Sequence, residues 1–261
     1  AAQGARRLLD RALTTLAARV EAPNGSVLVF NPSGRRRTGV VEVQIPRGTA
    51  VVADDGLVAQ QVTEADARDV CTVAFLATDV PAVGYRTFRV ESAPEPAAVP
   101  TRFDGTSVLE NDYYRVTVDP ASGGLASVFD KTLGKELVDA SSPYKLGQLV
   151  YAAAGEEVKG QTQVACPNPA KVTFSTSVGA GVRPGARGKL FSSVKNLGRH
   201  DMFHQIELET ILYEHERRID FVFRLNKKMT YEKEAVYLAF PIAGANPQFR
   251  HEIANGHVRP N

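Results

Sequence analysis

The sequence predicts a mainly β chain: a short N-terminal helix, a small β-sandwich domain, and then a large antiparallel β-sandwich. Three observations carry that reading. Helical spacing of apolar residues is confined to the stretch before Ser26, short runs of apolar and polar alternation fill the rest, and the Pro- and Ala-rich SAPEPAAVP, Ser92 to Pro100, divides those runs into two groups. With 261 residues, 43% of them hydrophobic, the chain has enough apolar material for packed cores, which excludes a disordered protein.

The elements follow in order. Leu8, Leu9, Ala12, Leu13, Leu16, Ala17 and Val20 recur at helical spacing, predicting an amphipathic helix from about Gly4 to about Ala22 within a first region, 1–25. Pro23, Asn24 and Gly25 end it. Such a stripe has to be covered, either by helices of a bundle that precede it or by a sheet of this chain. The strands VLVF, VVEVQI, VVA, LVAQQV, VCTVAFLA and YRTFRV then define a small β domain over 26–91, followed by a linker over 92–106. The large sandwich, 107–261, opens on a hairpin from Leu109 to Leu137. Its first strand alternates Tyr114, Val116 and Val118 with Tyr113, Arg115 and Thr117, Asp119 and Pro120 begin the turn, and Gly123 and Gly124 free its far end. Simple alternation on the return strand places Leu125, Ser127 and Phe129 on one side and Ala126, Val128 and Asp130 on the other. KLGQLVYAA, KVTFSTSV, KLFSSV, FHQIELETILYE, RRIDFVFRL and EAVYLAFPI read as further strands, and VGAGVRPGARG, Val178 to Gly188, as a long mobile loop.

Charge and cysteines narrow the partners. The 31 basic and 29 acidic residues leave a net charge of +2 with no long basic block, so no nucleic-acid partner is expected. Cys71 and Cys166 are too few for a zinc site or a disulfide framework and read as isolated buried thiols. No apolar run approaches the roughly 20 residues of a bilayer span, so no membrane partner is expected. No signal peptide is recognisable, and the chain starts AAQGARRLL without a Met, as a piece of a longer polypeptide would. The compartment stays open, with a cytoplasmic setting favoured over a secreted one.

Several segments together carry a family resemblance. SVLVFNPSGRRRTGVVEVQIP, Ser26 to Pro46, has an apolar strand, an Asn-Pro pair, arginines and a second strand; VPAVGYRTFRV, Val80 to Val90, closes the small domain; the Leu109–Leu137 hairpin opens the large one; and ERRIDFVFRLNKKMTYEKEAVYLAFPI, Glu216 to Ile242, is a later strand pair ending in an aromatic-Pro element. In this order they resemble the C-terminal β-rich region of family 38 glycoside hydrolases, the α-mannosidases. The resemblance implies that 107–261 is similar to the galactose mutarotase-like domain of those enzymes, incomplete at its C-terminus, and that the first helix is the remnant of a helical bundle. It also implies that the carboxylate nucleophile and a zinc ion belong to an N-terminal α/β barrel outside this chain. The parent enzyme would hydrolyse α-mannosides with retention, this chain alone would be inactive, and its partners would be the barrel and helical bundle of the same polypeptide, with a mannose-containing carbohydrate as parent substrate. No catalytic, cofactor-binding or metal residue is assigned here. Where some family members reach the sugar with an aromatic, this chain has Leu149, with Tyr151 two residues later.

A catalytic site of the chain's own would need a constellation of carboxyls, histidines or an activated nucleophile. Glu207 and Glu209, two apart on a strand, share a face at roughly 6.6 Å, within the range that paired glycosidase carboxyls need. Their alternation with Ile206 and Leu208 is also the ordinary pattern of a strand with one wet face, and that reading is preferred. His200 and His204 would be about 13 Å apart on an extended chain, too far to share a zinc ion. His215, His251 and His257 are scattered, and Arg35, Arg36 and Arg37 read as a solvated loop. No Gly-x-Ser-x-Gly element supports a nucleophile elbow. The alternative to a part of an enzyme is a non-catalytic carbohydrate-binding or protein-interaction β-sandwich module, for which Tyr113, Tyr144, Tyr151, Tyr213 and Tyr231 are the candidate stacking residues.

Overall fold

The structure, a computed structural model, describes residues 2–65, 69–93, 107–157, 168–244, 250–253 and 256–259. Most of the expected linker, together with Cys166, lies outside the described residues. The chain divides into two compact units: one comprises 1–100, 186–191 and 214–216, the other 101–185, 192–213 and 217–261.

The first unit begins with α1 (Ala2–Ala17). Tight turns close it early: Arg19 N–H donates to the Leu16 carbonyl at 3.0 Å and Val20 N–H to that of Ala17 at 3.1 Å, so the helix stops short of the expected Ala22. Leu8, Leu9 and Leu16 stay exposed, and the stripe is therefore not packed on a sheet of this unit. Seven strands follow: β1 (Val27–Asn31), β2 (Arg37–Pro46), β3 (Thr49–Ala53), β4 (Gly56–Leu57), β5 (Gln60–Ala65), β6 (Val70–Val80) and β7 (Gly84–Ser92). They form two antiparallel sheets, ordered β1-β7-β3-β4 and β2-β6-β5. Between them lies a core around Val51, Val73, Phe75 and Phe88, with the two phenyl rings edge to face at 5.0 Å.

Two short segments from much later in the chain complete this unit. The buried Gln61 side chain accepts from the N–H groups of Leu190 at 2.9 Å and Phe191 at 3.2 Å, and Glu216 Oε1 accepts from Val40 N–H at 3.1 Å. Each carboxamide or carboxylate oxygen thus accepts from main-chain donors far away in the sequence.

The second unit holds β8 (Val108–Glu110), β9 (Tyr114–Asp119), β10 (Gly124–Asp130), β11 (Lys135–Glu136), β12 (Leu149–Glu157), β13 (Thr173–Thr176), β14 (Val178–Arg187), β15 (Phe191–Arg199), β16 (Phe203–Tyr213), β17 (Ile219–Lys227), β18 (Glu232–Leu238), β19 (His251–Ile253) and β20 (Gly256–Val258), with the ends of β14 and β15 that approach residues 186–191 belonging to the first unit. The sheets are ordered β11-β10-β9-β8, β13-β12-β18 and β14-β15-β16-β17, with β19 and β20 a separate pair. A core of Leu109, Val116, Val118, Leu125, Val128, Val194 and Leu212 fills this unit, and a smaller one gathers Leu149, Tyr151, Phe203 and Ile206.

Three sequence expectations need correction. In β10 the register against β9 shifts between Leu125 and Ser127, a bulge at the exposed Ala126. Leu125 and Val128 therefore both enter the core, three residues apart, and simple alternation misplaces everything after Ala126. The stretch Val178–Gly188, read as a mobile loop, is largely strand β14, whose glycines allow close backbone approach to neighbouring segments. The two later strands β17 and β18 are not partners: β17 pairs with β16 and β18 with β12.

Asp130 ends β10 and holds the turn that follows. Its carboxylate accepts from the N–H groups of Thr132 and Leu133, each at 2.9 Å, and from Arg217 Nη2 at 3.1 Å. The Leu133 N–H chiefly, with Arg217 and the Thr132 N–H, holds the carboxyl below the usual aspartate range against the opposing effect of burial. A folded-state value depressed below the unfolded one adds stability that is complete above about pH 4, and that is lost as pH falls through the folded value. Asp130→Asn is accordingly expected to unfold more easily than the parent chain at neutral pH. The two unfolding curves should converge under strongly acidic conditions, as urea titrations at a series of pH values will show.

Candidate functional site

Strand β12 is pinned on both sides, with Tyr151 opposite Ser175 of β13 and Val236 of β18. Leu149 and Tyr151, two apart, point the same way into the smaller core. The Tyr151 ring stands 5.1 Å from that of His200 and edge to face with Phe203 at 6.4 Å. His200 sits in the turn between β15 and β16, where Phe203 N–H donates to its carbonyl at 2.9 Å.

These elements enclose an open cleft of about 680 Å³, lined by Tyr151, Ser175, Thr176, Arg199, His200, Asp201, Met202 and Glu232, among others. The lining combines the Tyr151 and His200 rings with polar and charged side chains. The Tyr151 hydroxyl donates to Glu234 Oε2 at 2.7 Å, and Lys227 Nζ meets Glu234 Oε1 at 2.5 Å. Burial, then the Glu234 carboxylate, pushes the Tyr151 hydroxyl up to about 12. The hydroxyl therefore keeps its proton at neutral pH and serves as the donor to Glu234. Burial opposes ionisation of Glu234, but the Lys227 ammonium and the Tyr151 hydroxyl outweigh it and hold that carboxyl below its ordinary range. Glu232 accepts from Gly155 N–H at 2.7 Å. In the neutral His200 ring, Nδ1 accepts from Met202 N–H at 3.1 Å, so Nε2 carries the proton and donates to Ser175 Oγ at 2.8 Å.

The other candidates are not brought together. Glu207 and Glu209 both accept from Arg224 Nη1 at 2.8 Å, and Ser193 Oγ donates to Glu209 at 2.8 Å. Glu209 is only 8% exposed, Glu207 is half-buried and Arg224 stays exposed, so the two carboxylates form a polar cluster, open to solvent on the Arg224 side, around one guanidinium. Both ring nitrogens of His200 are engaged within the fold, while His204 and His215 are exposed. The side chains of His251 and His257 lie outside the described residues. Among the described residues no group of three or more His, Cys, Asp or Glu side chains is placed to hold a metal ion. Arg35, Arg36 and Arg37 are exposed, with Arg36 Nη1 3.3 Å from the Asp79 carbonyl, and Cys71 is a buried core thiol. Of the five candidate stacking tyrosines, Tyr231 is exposed, Tyr151 is buried, and the Tyr213 ring is covered by Arg218 at 4.8 Å. No helix of the described residues is long and apolar enough to cross a membrane.

Sequence reasoning missed Ser175, Arg199, Asp201, Glu232, Glu234 and Lys227 as neighbours of Tyr151. A signal existed in part: KLGQLVYAA and KVTFSTSV are consecutive strands, and a hairpin between them sets Tyr151 opposite Ser175. The partnership with β18, far along the chain, has no local signature.

The mainly antiparallel β fold is that of solved glycoside hydrolase proteins. A glycosyl hydrolase family 38 protein from Enterococcus faecalis matches with a TM-score of 0.65 at 14% identity, over 94% of this chain and 36% of its own. An alpha-mannosidase from Enterococcus faecalis V583 matches with a TM-score of 0.64 at 14% identity, over 94% of this chain and 35% of its own. This chain thus spans about a third of the length of the structures it resembles. The model of the glycosyl hydrolases family 38 C-terminal domain matches residues 109–260, and the chain belongs to that family. No curated protein matches it.

Proposed function

We propose that this chain is the C-terminal β part of an α-mannosidase-like glycoside hydrolase, where it supports a catalytic barrel and helps to complete the sugar cleft. The observation that carries the reading is the family 38 C-terminal match over 109–260. Residues 109–260 also contain the cleft lined by Tyr151 and His200. In the proposed division of labour, an N-terminal α/β barrel provides the carboxylate nucleophile, the acid/base and the zinc ion, and hydrolyses α-mannosides with retention. This chain contributes packing surface, including the exposed stripe of α1, and a preformed wall. Tyr151 is locked by Glu234, and the ring of His200 is locked by Ser175 and Met202, so neither loses much freedom when a sugar arrives.

A self-contained sugar-binding module is the competing reading. Calorimetric titration of mannose oligosaccharides into the chain separates the two. A wall without its barrel should give no detectable heat. Saturable binding to the chain alone would favour the module and overturn the proposed role.

A further inference from the structure

We propose that the Asn24–Gly25 pair is a site of spontaneous chemical modification, at which asparagine converts through a cyclic imide to isoaspartate and aspartate. The pair occupies the reversal between α1 and β1. Ser26 N–H donates to the Pro23 carbonyl at 3.1 Å and Gly25 has φ +80, the third position of a type II turn. Pro23, Asn24 and Gly25 are all exposed. A Cβ built on Gly25 would meet nothing within 4 Å, so no neighbouring segment packs against that side of the exposed turn.

The chemistry needs nothing beyond water and a solvent base. The Gly25 nitrogen, giving its proton to the base, attacks Asn24 Cγ; the new N–Cγ bond closes a five-membered imide and the Cγ–Nδ2 bond breaks, releasing ammonia. Water then adds to either imide carbonyl and the C–N bond opens. One product is aspartate, the other isoaspartate, in which the main chain runs through the former side chain. Glycine permits this because it has no side chain to crowd the attacking nitrogen. The other described asparagines are disfavoured for physical reasons. Asn31 and Asn168 precede prolines, which have no N–H, while Asn111 and Asn196 are buried. Asn226 is followed by Lys227, whose side chain crowds the nitrogen. Each event replaces a neutral amide by a carboxylate, and the isoaspartate product lengthens the tether between α1 and β1.

The test is peptide mapping of the whole chain after incubation at mildly alkaline pH, with isoaspartate detected by enzymatic methylation. Asn24 is expected to be lost before Asn111, Asn196 or Asn226 shows measurable conversion. Asn24→Gln should remove the isoaspartate signal from that peptide while leaving any signal at the second Asn-Gly pair, Asn255–Gly256, in place. If Asn24 of the folded chain stays amidated over the time in which the chain unfolded in urea converts it, the turn protects the site and the proposal is overturned. It is equally overturned if neither form converts.

Discussion

Replacing Gly179 by alanine is expected to remove on the order of 4 kcal/mol of stability, enough to leave a marginal domain unfolded. β14 runs past the turn of the opening hairpin, and a Cβ at position 179 would fall inside the van der Waals envelope of the Pro120 carbonyl oxygen. It would also lie 2.7 Å from the Pro120 carbonyl carbon and 3.2 Å from that of Ala121. These are backbone atoms, which cannot rotate away as the end of a side chain can. The strand cannot retreat either, because Gly179 N–H donates to the Ala121 carbonyl at 2.6 Å, and retreat breaks that bond. Gly34→Ala is the control: a Cβ there meets nothing within 4 Å, and its effect should stay within about 0.5 kcal/mol. Urea unfolding midpoints decide the matter, and an unchanged midpoint for Gly179→Ala would show that the two segments do not approach as described.

Asn31→Ala should cost about 3 kcal/mol, because one side chain closes a turn and joins two strand ends. Asn31 is buried, and its Nδ2 shares two N–H bonds among the carbonyls of Arg35 at 2.8 Å, Val80 at 3.1 Å and Pro81 at 2.9 Å. Its Oδ1 accepts from Ser33 N–H at 3.0 Å and Ser33 Oγ at 2.7 Å. Truncation leaves carbonyls at the end of β6 without a donor. Asn31→Asp separates the two halves of this network: the acceptor for Ser33 survives, but a carboxylate is turned toward three carbonyl oxygens. The aspartate variant should therefore be at least as unstable as the alanine one at neutral pH. Near-parental thermal stability for Asn31→Asp would mean that the Nδ2 bonds contribute little.

These two residues also mark how far the sequence could be read. The Asn-Pro pair stood out after its apolar strand, and Pro32 stops the strand from continuing, yet nothing local says that the asparagine reaches Val80. The hairpin was legible through Val116 and Val118, since period-two burial needs no distant partner. The bulge at Ala126 was not, because its register is set by the core that Leu125 and Val128 share. Gly179 and Gly185 argued for a loop by composition; the segment is a strand because neighbouring backbone occupies the space that side chains would need. The same limit hid the cleft. Tyr151 stands out in the sequence for its chemistry, but the partner that fixes its hydroxyl, Glu234, arrives on β18, and long-range pairing leaves no mark in a local pattern.

The most direct measurement is turnover of an aryl α-mannoside by the pure chain, with zinc supplied and with zinc removed by a chelator. A β region that supports and walls a catalytic barrel, without carrying the chemistry itself, should give no turnover in either condition. Zinc-dependent hydrolysis by the chain alone would contradict that role and place a complete active site within these residues.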